Sequence, residues 1–318
     1  MVQAICQGGE SLTSGILGLK DVVSIKDFSR RQIEWLYEEA EKMENVFRRG
    51  SDVLRGKILA TLFMEPSTRT RLSFTTAMYK LGGQVIGFES VEASSIAKGE
   101  NLNDTVKTVE NYCDAIVLRH WLEGAARFAS EIANVPVINA GSGTEEHPTQ
   151  ALLDIFTIKR EVGTVDGLKV AIMGDLKYGR TVKSLSYGLA NFDVEIYLVS
   201  PESLRMPEDV IRYLEKKKMH VEEYNTLDEI IRKIDVLYVT RLQKERFPDA
   251  AEYEKLRGSY KVDVKTLSEA KPNMILLHPL PRLDEVDPEV DKTPHAKYFK
   301  QPFYGVLVRM AILKALLS

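Results

Sequence analysis

Ile58-Leu59-Ala60-Thr61-Leu62-Phe63-Met64 leads, within a few residues, into Ser67-Thr68-Arg69-Thr70-Arg71, and the fold turns on this passage. The first seven residues form an apolar run of strand length. From Leu72 to Leu81 the apolar spacing is helical. A buried strand therefore hands the chain to a helix through three hydroxyls and two guanidinium groups. The first turn of a helix has backbone N–H groups without partners and partial positive charge, so this junction suits an anion. Arginine adds a planar fork matched to phosphate oxygens. The same residues also read as an ordinary N-cap, with Ser67 or Thr68 capping and the arginines in solvent. Taken alone, the stretch leaves both readings open.

The strand-then-helix grammar recurs outward from this point. Upstream, Ser29 and Gln32 form a capping-box pattern that opens a helix running through Arg48. Downstream, apolar runs at Gln84–Phe88, Ala115–Leu118 and Val135–Asn139 alternate with helical patterns at Leu102–Tyr112 and Gly124–Ile132. A second series places strands at Lys169–Met173, Val194–Val199, His220–Tyr224, Val236–Val239 and Met274–Leu277. Helices are expected between them at Thr181–Asn191, Glu208–Lys217, Leu227–Lys233 and Val264–Ala270. Short apolar runs separated by helices predict parallel sheets with helices on their faces.

The 318 residues suit two domains. The expected architecture is α/β: two open parallel-sheet domains with the site in the cleft between them. Residues 1–20 read as an N-terminal extension, 21–146 as one domain and 147–302 as the other, with a hinge near Gly141-Ser142-Gly143. The apolar helix 303–318 is expected to pack back on the first domain. Hydrophobic residues make up 44% and charged residues 28% of the chain, and the formal charge is −3. With no basic excess, nucleic acid is not an expected partner, and no apolar run reaches the ~20 residues that span a bilayer. Residues Met1–Lys20 make a poor signal peptide. The two cysteines, Cys6 and Cys113, form neither a disulfide framework nor a metal cluster. A cytoplasmic protein is the expectation.

In open α/β sheets, ligands bind beyond the carboxyl ends of the strands. Polar clusters follow the apolar runs there: Ser67–Arg71, Arg119-His120, His147–Gln150, Asp175–Arg180, Thr240–Arg246 and His278–Arg282. Pro148 at a first helical position makes His147 an N-cap candidate. A neutral imidazole there could polarise a carbonyl oxygen, or simply cap the helix. Met173–Thr181 only superficially resembles a dinucleotide turn, because the G-x-G-x-x-G spacing is missing and Leu176 and Lys177 would crowd a pyrophosphate. No Walker A sequence occurs. Arg180, at a helix start, suits a carboxylate, and Asp175 is expected to hold its loop. Alternation puts Arg241 and Gln243 on one side. The prolines of His278-Pro279-Leu280-Pro281-Arg282 stiffen a loop that can present backbone carbonyls. No nucleophile triad and no metal-ligand spacing is present. Positive charge, hydroxyls and imidazoles suit transfer of a neutral acyl-like group away from phosphate, without a cofactor.

In this order the clusters resemble the carbamoyltransferase family, over a match from about Asp21 to the C-terminus. The carrying motifs are Ser67-Thr68-Arg69-Thr70-Arg71, Lys98-Gly99-Glu100, His147-Pro148-Thr149-Gln150, Gly174–Thr181 and His278–Arg282. The likeness is nearest to members whose acceptor is aspartate. It implies that Ser67, Thr68, Arg69, Thr70 and Arg119 bind the phosphate of carbamoyl phosphate. Thr70, Arg119 and His147 would polarise the carbamoyl oxygen, and Gln150 would hold the carbamoyl amino group. Pro279 and Leu280 would offer backbone carbonyls to amino groups, while Arg180, Arg241 and Gln243 would grip L-aspartate. Ser94 and Lys98 match residues that reach a neighbouring subunit's site, with Lys98 also near aspartate, so a homotrimer is implied. A regulatory chain is left open.

Two departures stand out. Trp121 occupies a position where the family commonly has Pro, and Ala97 one where some relatives carry a second Lys. An ornithine acceptor is the nearest rival, but members of that kind carry a Cys in the loop matching His278–Arg282, and this chain has none there. Two rivals come from different classes, a non-catalytic homologue and a nucleotide-binding dehydrogenase. The first would be expected to have lost pocket residues, and the second lacks its glycine fingerprint.

Overall fold

The computed structural model describes residues 18–88, 99–244, 247, 250–258 and 260–318. Most of the N-terminal extension, the end of the Thr240–Arg246 cluster, Ser94 and Lys98 lie outside the described residues.

Two parallel sheets are observed. The first is built from β1 (Ile58–Phe63), β2 (Gln84–Phe88), β3 (Ala115–His120) and β4 (Val137–Ser142), in the order β2-β1-β3-β4. The second contains β5 (Lys169–Met173), β6 (Glu195–Val199), β7 (His220–Tyr224), β8 (Val236–Val239) and β9 (Ile275–Leu277), in the order β7-β6-β5-β8-β9. Every pairing between these strands is parallel. This is the α/β architecture expected from the sequence.

Strands buried on both faces explain the continuous apolar runs. Along β1, Leu59 and Phe63 face a large central core, while Ala60, Leu62 and the following Met64 face an outer cluster. Along β5, Val170 and Ile172 face the same central core, and Ala171 and Met173 face a second outer cluster. The inner faces of the two sheets thus share one hydrophobic cluster. Two helices bridge it, α5 (Pro148–Val162) and α10 (Gln301–Leu317), with α10 packing on α5, α1 (Arg30–Arg49) and α2 (Thr68–Lys80).

The capping box at α1 is complete: the Ser29 hydroxyl accepts from the Gln32 N–H, and the Gln32 carbonyl oxygen accepts from the Ser29 N–H. The remaining helices are α3 (Leu102–Val109), α4 (Ala125–Ile132), α6 (Arg180–Leu189), α7 (Glu208–Lys216), α8 (Ala250–Leu256) and α9 (Val264–Leu267).

Several elements differ from expectation. The stretch Leu227–Lys233 forms only a 3-10 turn at Leu227–Glu229, closed by the Ile230 N–H on the Leu227 carbonyl, and Ile230 and Ile231 bury in the outer core with residues of β5 and β8. Helix α3 stops at Val109, where the Asn111 side chain takes the Lys107 carbonyl. Strand β4 starts two residues late at Val137, since Pro136 has no N–H to give a ladder, and it continues to Ser142. Helix α8 has no counterpart in the sequence pattern.

Candidate active site

A cavity of about 630 Å³ opens at the carboxyl ends of β1, β3, β4, β5, β8 and β9. Its walls include Ser67, Thr68, Arg69, Thr70, Arg119, His147, Gln150, Arg180, Arg241, Gln243, Pro279 and Leu280. Every described residue that the resemblance assigns to a substrate therefore meets in one space between the two sheets, whereas His120 and Asp175 do not line it.

Ser67 is the N-cap residue of α2, yet its side chain makes no capping bond, so its hydroxyl and the first-turn N–H groups remain for a ligand. This disfavours the ordinary-cap reading. Thr70 is buried, and its hydroxyl lies 3.5 Å from His147 Nε2. Arg69 stands exposed at the cleft and donates to the Leu280 carbonyl at 2.8 Å. Desolvation of its cleft side and the like charge of Arg241 draw its pKa down.

His147 occupies the N-cap of α5, with Pro148 at the first helical position, and it too makes no side-chain cap. Its backbone N–H donates to the Ser184 hydroxyl at 2.8 Å. The ring is buried, and Nδ1 has no hydrogen-bond partner among the described residues. Burial, reinforced by the guanidinium groups of Arg119, Arg180 and Arg309, holds the imidazole well below its usual pKa. His147 is therefore neutral, as an electrophile at a positive helix end needs to be.

Arg119 reaches in from the end of β3. It donates to the Ala140 carbonyl at 3.1 Å and lies 3.5 Å from Glu65. At the start of α6, Arg180 donates to both Glu65 oxygens, at 3.0 and 3.3 Å, and to the Gly143 carbonyl at 2.9 Å. Gly141 is required beside it: its φ is +122°, and an added Cβ would stand 2.9 Å from the Arg180 guanidinium carbon. Asp175 holds its loop through backbone groups, accepting from the N–H of Tyr178 and of Gln243. Arg241 donates to the Leu242 carbonyl at 3.0 Å.

The loop after β9 is pinned from below. Buried His278 bonds Glu285 at 2.8 Å through Nε2 and accepts from the Leu280 N–H at 2.8 Å through Nδ1. Burial lowers its pKa despite Glu285, so this histidine is a scaffold for the loop. Trp121, the departure from the family pattern, stacks on His120 with ring centroids 4.3 Å apart.

Sequence reasoning missed Glu65, Asp154, Gln301 and Arg309. An acid beside an anion site runs against charge logic, which hid Glu65. Arg309 was visible as one of two cations, with Lys314, in an apolar helix. It is buried, bonded to Ser73 and Thr149, and drawn down to about 10 by burial. Asp154 sits one helical turn after Gln150, on the same face of α5.

Among the described residues, five guanidinium groups, of Arg69, Arg119, Arg180, Arg241 and Arg309, surround this cavity, against the carboxylate of Glu65. The fold and site define a two-domain α/β protein whose cleft offers an anion a helix N-terminus and a carboxylate a set of guanidinium groups. The chain belongs to the aspartate/ornithine carbamoyltransferase family. Residues 20–160 match the family's carbamoyl-P binding domain, and residues 166–316 match its Asp/Orn binding domain. The aspartate carbamoyltransferase catalytic subunit of Thermococcus onnurineus is 56% identical, over 92% of this chain and 96% of its own length. The catalytic subunit of M. jannaschii aspartate transcarbamoylase superimposes with a TM-score of 0.87 at 55% identity, covering 94% of this chain and 98% of that one. Trypanosoma cruzi aspartate transcarbamoylase in complex with N-(phosphonacetyl)-L-aspartic acid gives a TM-score of 0.89 at 44% identity, covering 94% and 96%.

Proposed function

We propose that this chain transfers the carbamoyl group of carbamoyl phosphate to the α-amino group of L-aspartate, giving N-carbamoyl-L-aspartate and phosphate, as a step in pyrimidine biosynthesis. The observation that carries this reading is the single cavity shared by the α2 N-terminus, neutral His147 and the Arg180–Arg241–Gln243 group. In this assignment residues 21–146 with helix 303–318 serve carbamoyl phosphate, and residues 147–302 serve aspartate.

Ser67, Thr68, Arg69, Thr70 and Arg119 hold the phosphate. Gln150 and the carbonyls of Pro279 and Leu280 receive N–H groups. The amine nitrogen of aspartate attacks the carbamoyl carbon, and the C=O electron pair moves onto oxygen, facing Thr70, Arg119 and His147. Losing one such donor typically costs ~10²–10³ in rate. The pair returns, the C–O bond to phosphate breaks, and the leaving phosphate takes the amine's proton. Much of the acceleration comes from holding both substrates in one place.

The family resemblance supports a cytoplasmic homotrimer in which Ser94 and Lys98 complete a neighbour's site. Among the described residues no helix is long and apolar enough to cross a membrane. The relatives' designation as catalytic subunits supports a further, regulatory chain.

Two arginines with Gln243 suit a dicarboxylate better than an amino acid with a cationic side chain. Phosphate release from carbamoyl phosphate, measured with aspartate or ornithine, tests the reading. Release with aspartate is expected. Release with ornithine alone would reassign the acceptor, and release with neither would overturn the activity.

A further inference from the structure

Beneath the cavity floor, Asp154 is fully buried on α5. Its Oδ1 accepts two amide N–H groups, from Gln150 Nε2 at 2.9 Å and from Gln301 Nε2 at 2.6 Å. Gln301 Oε1 in turn accepts the backbone N–H of His278 at 2.8 Å.

The chemistry of these groups settles both amide orientations. A backbone N–H can only donate, so the Gln301 atom facing His278 is oxygen, and its NH₂ faces Asp154. A carboxylate oxygen can only accept, so Gln150 must present its NH₂ to Asp154 as well. This frees the carbonyl oxygen of Gln150, beside the second N–H of its amide, for the cavity that this side chain lines. Burial raises the Asp154 carboxyl to about 7. Both glutamines engage Oδ1, and a protonated carboxyl still keeps an acceptor oxygen, so these contacts do not depend on ionisation.

We propose that Asp154 is a positioning residue that makes the site selective for an acyl phosphate bearing an N–H donor. With the Gln150 amide locked carbonyl-inward, a carbamoyl NH₂ finds an acceptor. A methyl group in its place leaves that oxygen dehydrated and unpaired, which is the stronger form of discrimination. The inference deepens the proposed function and rests on its assignment of Gln150 to the carbamoyl amino group.

The test compares the KM for carbamoyl phosphate with the inhibition constant of acetyl phosphate, in the wild type and three variants. Asp154→Thr is close in volume, and its hydroxyl is drawn to the helix backbone. Asp154→Ser serves the same purpose if the larger residue disturbs packing, and circular dichroism checks the fold of each. Asp154→Asn keeps an acceptor at Oδ1. The Thr and Ser variants should weaken carbamoyl phosphate about tenfold while leaving acetyl phosphate inhibition unchanged, and the Asn variant should recover most of the preference. Equal weakening of both phosphates, or an unchanged ratio, would overturn the inference while leaving the activity in place. A wild-type chain that releases no phosphate would overturn the functional reading itself.

Discussion

The two ends of the cavity are built differently. At the end proposed for phosphate, backbone groups and short side chains on helix starts are joined by two arginines, Arg69 on the Leu280 carbonyl and Arg119 on the Ala140 carbonyl. Ser67 and Thr68 sit at the N-terminus of α2 and His147 at that of α5, and both helices are anchored in the core shared by the two sheets. Little conformational freedom remains to be lost there when an anion arrives. At the aspartate end the chemistry is carried by long guanidinium arms already engaged with protein groups. Arg180 is bonded to Glu65 and the Gly143 carbonyl, and Arg241 to the Leu242 carbonyl. A carboxylate ligand must share or replace those contacts. The helix starts are organised before binding, whereas the second end, built on Arg180 and Arg241, acquires its ligand by exchange alone, so the net gain per contact is smaller there.

Substitutions at the two ends should therefore separate cleanly. The largest effect is expected from Arg69→Ala. Removing a charged fork from beside the α2 N-terminus should lower kcat/KM by about 10³ or more with the fold retained, and near-normal turnover would remove Arg69 from the phosphate site. Arg241→Ala should raise the KM for aspartate by about 10- to 100-fold while changing that for carbamoyl phosphate by less than about threefold. Equal damage to both constants would erase the contrast between the ends.

A pH experiment probes the buried histidine. The His147 pKa is depressed in the fold below its ordinary value of 6.5, so the unfolded chain binds the extra proton first. Its contribution to stability is present above that pH and is lost as the pH falls below it. Chemical denaturation of His147→Gln should show a shallower acid decline than the wild type, and identical slopes would mean that the imidazole is not held neutral. The smallest effect belongs to the scaffold. Ser29→Ala breaks the capping box of α1, far from either end, and should cost about 1 kcal/mol with both KM values unchanged.

The central strands were legible because burial on both faces leaves short apolar runs, and the edge strands β2 and β7, exposed or half-buried along their length, because turns and helices bound them. β2, β5, β7 and β8 fall on their predicted bounds. Legibility failed where local pattern competes with tertiary demand. Leu227–Lys233 carries helical spacing, but its β-branched residues are taken by the outer core. The nominated ligand residues were readable because they cluster after strand ends. Their supports were not, since Glu65, Asp154 and Gln301 act on residues distant in sequence: Arg180 for Glu65, Gln301 for Asp154 and His278 for Gln301. Only the Gln150–Asp154 spacing of one helical turn was available as a local signal.

The central claim is that one space joins the helix N-terminus of α2 to the arginines of the second sheet. Calorimetric titration with N-(phosphonacetyl)-L-aspartic acid tests it most directly, because that molecule carries a phosphonate and a dicarboxylate on one frame. The account predicts one molecule bound per site, more tightly than phosphate and aspartate added together, with both Arg69→Ala and Arg241→Ala weakening it. Binding no tighter than that of inorganic phosphate, or indifferent to either arginine, would contradict it.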